Sequence, residues 1–300
     1  FRTPVQAGCL MEPAEVERTL EHGSALGCTE ARFTFGERPE EEPGFSSLIQ
    51  AAGYPAILDY CEAMCKKSIA AGVLPHTNAG ILSPEEMERL RPVNASMGLM
   101  LETTARVPAH RGSKGKAPEV RLAMIEDAGK LKIPFTTGLL LGIGETMADR
   151  EDSLYAIRDI HRQYGHIQEI IIQNFCPKPG TPMATHPVPG TDEICMTIRM
   201  ARDILPDDIA IQIPPNLTDA SLLIGCGVDD LGGVSPLTID YVNPEHPWPA
   251  IEELRKLAGA RQLRERLCIY PQFIAKGWYD RSLEPLINRL AQTVYGRSGP

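Results

Sequence analysis

The sequence predicts an α/β fold of parallel strands on three observations. Strand and helix patterns alternate without a break over most of the chain, the 136–141 run is uncharged and ends in three leucines like a strand covered on both faces, and glycines or polar residues recur at the C-terminal strand ends. An alternation of this size fits either a doubly wound sheet or a (β/α)8 barrel of the TIM type, and side chains gathered at C-terminal strand ends are how barrels build their sites.

The elements follow in order. The spacing predicts a helix over 12–26, with Glu12, Glu15 and Glu17 in its first turns, where carboxylates meet the positive end of the helix dipole. A short strand over 31–35 ends in Gly36-Glu37, and a helix over 57–71 leads to a strand over 73–77. Ser83-Pro84-Glu85-Glu86 supplies an N-cap, a first-turn proline and a capping-box acid for the next helix. Residues 95–101 read as a strand ending at Glu102, then 118–131 as helix, 135–141 as strand, 150–164 as helix, 169–175 as strand, 192–205 as helix and 209–213 as strand. A short helix near 221–224 and a weak strand near 228–232 complete the alternation. Seven strands leave a barrel one short, so the first strand and its loop are expected upstream of Phe1. A helix over 250–258 precedes a tail bearing Tyr270, Phe273, Trp278 and Tyr279. No linker or repeat divides the chain. One domain over 1–300 is expected, the barrel at about 12–247 and a C-terminal extension over 248–300.

Composition narrows the function. A hydrophobic content of 43% over 300 residues can bury a full core, and no stretch reaches the roughly 18 consecutive apolar residues of a membrane span. The net charge of −9, with scattered bases, argues against nucleic acid and for a small-molecule partner. Eight cysteines without the dense spacing of a disulfide scaffold suggest a reducing cytoplasm. In TTGLLLGIGET, residues 137–147, the glycines do not fit G-x-G-x-x-G, no Lys-Ser/Thr follows, and Glu145 would repel a pyrophosphate. A strand end stripped of side chains, open to close approach, remains.

Several blocks then resemble a known family. FTFGERPE, LPHTNAGIL, MGLMLET, HRGS, GLLLGIGE, IIIQNFCPKPGTPM, IQIPPNL and GVDDLGGVSPLTIDYVNPEHPWP, in this order, resemble the radical S-adenosylmethionine (radical SAM) barrels and, more narrowly, the FO synthases, which make 7,8-didemethyl-8-hydroxy-5-deazariboflavin. The resemblance implies a 4Fe-4S cluster and SAM as cofactors. It also implies a lyase reaction that completes the deazaflavin ring with loss of ammonia, on an adduct that a partner subunit or fused half makes from tyrosine and 5-amino-6-ribitylaminouracil. In that scheme Gly138 and Gly142 admit the adenosine, Glu145 helps fix the turn, and Glu37 beside Gly36 accepts hydrogen bonds from the SAM ammonium. Glu102 holds the ribose hydroxyls or the ammonium, and Gln173, Asn174 and Phe175 face the adenine.

The family's C-x-x-x-C-x-x-C cluster motif is absent from this sequence and is expected just upstream of Phe1, so the chain alone is expected to be inactive. Cys61 and Cys65 share a helical face with only two thiolates and are not read as a substitute. His76, Asn78 and Arg111 are candidates for substrate contact, and Asn216, Asp229 and Asp230 for lining the site. Each has an ordinary alternative: a hydrogen-bonded core histidine, a solvated loop, or for Glu37 a pair with Arg32 or Arg38. Competing functions are another radical SAM enzyme of cofactor biosynthesis (biotin synthase-like or of a menaquinone pathway), a Schiff-base barrel lyase with Lys178 its nearest candidate, and a SAM-binding protein without catalysis.

Overall fold

The computed structural model describes residues 10–259 and 261–296, so Phe1 and Cys9 lie outside the described residues. In chain order the elements are α1 (Pro13–Ala25), β1 (Glu30–Thr34), α2 (Phe45–Ala51), α3 (Ile57–Ala70), β2 (Leu74–Asn78), α4 (Pro84–Leu90), β3 (Ser96–Gly98), α5 (Pro118–Lys130), β4 (Phe135–Leu141), α6 (Met147–Tyr164), β5 (Ile167–Asn174), α7 (Thr191–Ile204), β6 (Ala210–Gln212), α8 (Ala220–Leu223), α9 (Ile251–Ala258), α10 (Pro271–Ala275) and α11 (Glu284–Val294). They pack as two compact units, one of residues up to 98 together with 265 onward, the other of residues 99–264.

In the first unit β2 pairs in parallel with both β1 and β3, in a register that sets Arg32 beside His76 and His76 beside Ser96. Pro13 opens α1, and the apolar faces of α1, α2 and α3 bury Val16, Leu20, Phe45, Ile49, Tyr60 and Met64 together. The capping box that opens α4 forms as read: Ser83 Oγ accepts from the Glu86 N–H at 3.2 Å, and Glu86 Oε2 accepts from the Ser83 N–H at 2.7 Å. The C-terminal tail belongs to this unit's core. Leu267, Ile269, Phe273, Leu283 and Ile287 pack over Leu74 and Ala95, with Trp278 and Tyr279 partly buried against them.

The second unit is built on β4, β5 and β6, also parallel, with Gly138 beside Ile171 and Ile171 beside Gln212. Phe135–Leu141 is nearly all buried, as a strand covered on both faces requires. A capping box of Thr146 and Asp149 opens α6, and Gly165 at φ 63° closes it.

Three expectations are corrected. The strand read over 228–232 is a single bridge from Gln212 to Asp230. Gly227 and Gly232 lie in the left-handed region, and Asp230 Oδ1 accepts from the Gly232 N–H at 2.6 Å, a turn geometry that ends the ladder. The strand read over 95–101 is ordered as β3 alone; beyond it Glu102 turns to φ 68° and bridges to Leu139. The cysteines, read as reduced, include one bonded pair, Cys195–Cys226, which ties α7 to the turn after α8. Helices α2, α10 and α11 were not expected from the sequence patterns.

Candidate active site

The second unit gathers its functional side chains where its strands end. After β4 comes Gly142-Ile143-Gly144-Glu145, a turn that folds back on its own acid. Glu145 Oε1 accepts from the Gly142 N–H and Oε2 from the Ile143 N–H, both at 2.8 Å. Arg150, on the first turns of α6, donates to the same carboxylate through Nε at 2.8 Å and Nη2 at 2.6 Å, and Nη2 also meets Glu193 of α7 at 2.6 Å. Glu145 is 1% exposed and Arg150 2%. The backbone N–H groups a phosphate site would offer are thus occupied by a carboxylate, in keeping with the absence of a nucleotide fingerprint.

The strand-end glycines have structural reasons of their own. A Cβ on Gly138 would collide with the Ile171 backbone of β5 and lie 2.9 Å from the Met100 methyl. Gly142 sits at φ 88°, and a Cβ there would lie 2.5 Å from Pro189 Cγ. Gly142→Val is therefore expected to lose about 2 kcal/mol or more of stability from the left-handed backbone and the Pro189 clash. Thermal and denaturant unfolding check this. An unchanged midpoint would free Gly142 for a purely ligand-facing role.

Glu102 is the electrostatic centre of this unit. Its N–H donates to the Gly138 carbonyl at 2.9 Å and its carbonyl accepts from the Leu140 N–H at 3.0 Å, which fixes a left-handed glutamate beside β4. Its Oε2 lies 2.8 Å from His110 Nε2, its Oε1 pairs with Lys116 Nζ, and Arg121 Nη1 stands 3.5 Å away. Burial alone would raise this carboxyl, but the His110 hydrogen bond and the Lys116 and Arg121 charges overcome it and hold it at about 2. Arg121 is itself buried, its Nε on the Gly115 carbonyl at 2.9 Å. Arg111, singled out within HRGS, is exposed; its neighbour His110 makes the contact.

At the end of β5, Gln173 and Phe175 are half-buried and Asn174 is buried. Asn174 Nδ2 donates to the Leu217 carbonyl at 3.1 Å while its Oδ1 has no partner, and Gln212 Oε1 at the end of β6 is also buried and unpartnered. Phe175 meets the His186 ring edge-on at 6.0 Å between centroids. Asn216 donates to Asp240 Oδ2 at 3.0 Å. Asp229 serves the backbone instead, accepting from the Ile211 N–H at 2.9 Å and pairing with Arg202. Lys178 pairs with Glu245.

The first unit holds the remaining candidates. Gly36 is exposed and Glu37 half-buried, and the backbone of Glu37 lies so close to Gly80 that a Cβ there would be 2.9 Å from Glu37 Cα. Glu37 does not pair as the ordinary reading had it. Arg38 is held by Glu86 through two bonds of 2.6 and 2.7 Å, and Arg32 lies 3.5 Å from Glu30. Among the described residues the Glu37 carboxylate has no hydrogen bond or ion pair. His76 is 3% exposed, shares a 2.8 Å hydrogen bond between Nδ1 and Ser96 Oγ, and is pushed by burial down to about 3. Asn78 is half-buried at the end of β2.

The cofactors fit these residues unequally. Cys61 and Cys65 are buried and turned toward Thr77 Oγ1, 3.8 and 3.6 Å away, and among the described residues no group of three or more His, Cys, Asp or Glu could hold a metal ion. The ligands of an iron-sulfur cluster are not among the described residues. Each unit by itself offers acceptors of the kind SAM needs: in the first, the uncommitted Glu37 carboxylate suits an ammonium, and in the second, the Asn174 and Gln212 oxygens are buried without partners.

Comparison with known proteins agrees. The Radical SAM superfamily matches residues 7–155. The 7,8-didemethyl-8-hydroxy-5-deazariboflavin synthase of Methanoregula boonei is 71% identical over 294 residues, covering 98% of this chain and 89% of that protein. The same-named protein of Archaeoglobus fulgidus is 52% identical, covering 93% and 87%. Among solved structures, the FeFe-hydrogenase maturase HydG of Carboxydothermus hydrogenoformans gives a TM-score of 0.60 at 16% identity, over 95% of this chain and 66% of that one. Methylornithine synthase (PylB) gives 0.55 at 15%, over 93% and 72%. The structural likeness concerns the fold and favours the radical SAM barrel over the doubly wound alternative. On the identity and coverage of its relatives, the chain belongs to the 7,8-didemethyl-8-hydroxy-5-deazariboflavin synthase family of the radical SAM superfamily.

Proposed function

We propose that this chain is the ring-closing subunit or half of an FO synthase, a radical SAM lyase that completes the deazaflavin ring with loss of ammonia. The observation that carries the reading is the 71% identity to a protein of that name over 98% of this chain. The substrate is the adduct formed from tyrosine and 5-amino-6-ribitylaminouracil by a partner subunit or fused second half, and the setting is the cytoplasm. No helix of the described residues is long and apolar enough to cross a membrane, which is compatible with that setting.

SAM, when bound, would supply hydrogen-abstracting radical chemistry, while the residues of this chain would bind, orient and shield it. Glu37, with Gly36 leaving room beside it, accepts from the SAM ammonium. Glu102 offers its remaining lone pairs to a ribose hydroxyl or the ammonium, and Gln173, Asn174 and Phe175 line the adenine. Gly138, Gly142 and Glu145 shape the β4 end against the adenosine through the packing described above.

Glu37→Gln tests the assignment. It is expected to weaken SAM binding by about 1.5–3 kcal/mol, as for a lost charge-assisted hydrogen bond, with iron content unchanged in the loaded enzyme. Titration calorimetry with SAM reads it out. Wild-type affinity in the variant would return Glu37 to the status of a loop acid.

A further inference from the structure

Within the second unit one titratable side chain has been given no task. His110 is 11% exposed, follows Glu102 on the same loop, and lies at the strand-end face beside β4. Its Nε2 is 2.8 Å from Glu102 Oε2, while its Nδ1 is buried and has no hydrogen-bond partner.

The two nitrogens fix each other's roles. Glu102 is an ionised acceptor, so Nε2 carries the hydrogen and donates it, and the neutral ring then presents a bare lone pair at Nδ1. A buried acceptor left unused is costly, and a donor from a bound ligand would remove that cost. The carboxylate behind the ring also steadies the imidazolium that forms when Nδ1 takes a proton. Lys116 and Arg121 face the same carboxylate and keep it ionised, so it remains a hydrogen-bond acceptor throughout.

The other buried histidines of the chain are arranged differently. His76 commits Nδ1 to Ser96 Oγ. His166 also leaves Nδ1 unpartnered, but its Nε2 meets the Ile125 carbonyl at 2.8 Å, its ring lies between Phe135 and Tyr164, and burial holds it neutral down to about 3. No carboxylate backs it. His161, 3.3 Å from Asp208, spends its Nδ1 on the Ile167 N–H at 3.2 Å, at the opposite end of β5.

We propose that His110, oriented by Glu102, is the acid–base residue of the site: Nδ1 accepts one proton from the bound substrate and returns it to the departing amine nitrogen as ammonia leaves. The carboxylate stays ionised, the imidazole ends as it began, and no electron changes hands. This rests on the function proposed above.

The test measures 5′-deoxyadenosine and deazaflavin together in the cluster-loaded, full-length enzyme supplied with its partner half. In His110→Gln the ratio of 5′-deoxyadenosine to deazaflavin should rise about 100-fold or more, the loss typical of a removed general acid–base. Added imidazole should restore part of the deazaflavin in His110→Ala. Independently of turnover, 15N NMR of the unloaded chain should show the Nε2–H tautomer for His110. An unchanged product ratio, an Nδ1–H tautomer, or an equal fall of both products in His110→Gln would overturn the proposal, the last by making His110 a SAM-binding residue. If the wild-type enzyme itself fails to cleave SAM, the proposed function fails instead.

Discussion

Arg150→Met is expected to cost about 3–5 kcal/mol of folding stability, a large share of what holds a domain of this size together. The substitution keeps most of the apolar stem, so the loss would come from charge. Glu145, 1% exposed, would keep its two backbone donors but lose the guanidinium that balances it, and Glu193 would lose its partner. An uncompensated buried carboxylate is among the few defects of that size. Glu193→Gln is the useful control: Glu193 is 39% exposed, and exposed partners contribute within about 1 kcal/mol. Urea unfolding of the three proteins decides it. A loss below about 1 kcal/mol for Arg150→Met would mean that the turn after β4 is held by its backbone alone.

Acid should weaken the second unit through Glu102. Its carboxyl is held at about 2 in the folded chain, against an ordinary value near 4.5 when unfolded. A group depressed by folding contributes stability that is present above its unfolded value and lost as pH falls through its folded one. The window is therefore between about pH 4.5 and 2, and the contribution is about 3 kcal/mol at neutral pH. His76 and His166, both pushed by burial down to about 3, also weaken the fold in acid, because the unfolded chain takes up their protons first. They do so equally in wild type and in Glu102→Gln. The difference between the two stability curves reports Glu102 together with the His110, Lys116 and Arg121 groups that face it; a constant difference from pH 7 to pH 2.5 would show that this network adds nothing.

Much of this is written in local sequence. Phe135–Leu141 was read to the residue because an uncharged, largely apolar run bounded by Pro134 and Gly142 has few other uses in a strand-helix alternation. Ser83 and Glu86 form their capping box because that motif is completed within one helical turn. Legibility ends where partners are distant or serve the backbone. Residues 228–232 were read as a weak strand from their place in the alternation, but Asp229 and Asp230 bond to backbone N–H groups and Gly227 and Gly232 turn the chain away. The spacing of Leu286, Ile287, Leu290 and Val294 does carry a helical signal for α11, shorter than the patterns that dominate the chain. The site divides in the same way. Its acids at strand ends could be picked out one by one, whereas the meeting of Glu102 with His110, Lys116 and Arg121 depends on how an irregular loop folds, with no periodicity to announce it. Arg150 illustrates the converse, since an arginine in the first turns of a helix reads as a solvated charge until Glu145 and Glu193 are seen to enclose it.

The most direct measurement of the central claim is mass spectrometry of a single reaction. The full-length, cluster-loaded enzyme is mixed anaerobically with a one-electron reductant, SAM, tyrosine, 5-amino-6-ribitylaminouracil and the partner half. The account predicts 5′-deoxyadenosine, ammonia and 7,8-didemethyl-8-hydroxy-5-deazariboflavin, with the deazaflavin absent when this chain is left out. Intact SAM, or 5′-deoxyadenosine with no deazaflavin from a partner shown to make its adduct, would contradict it.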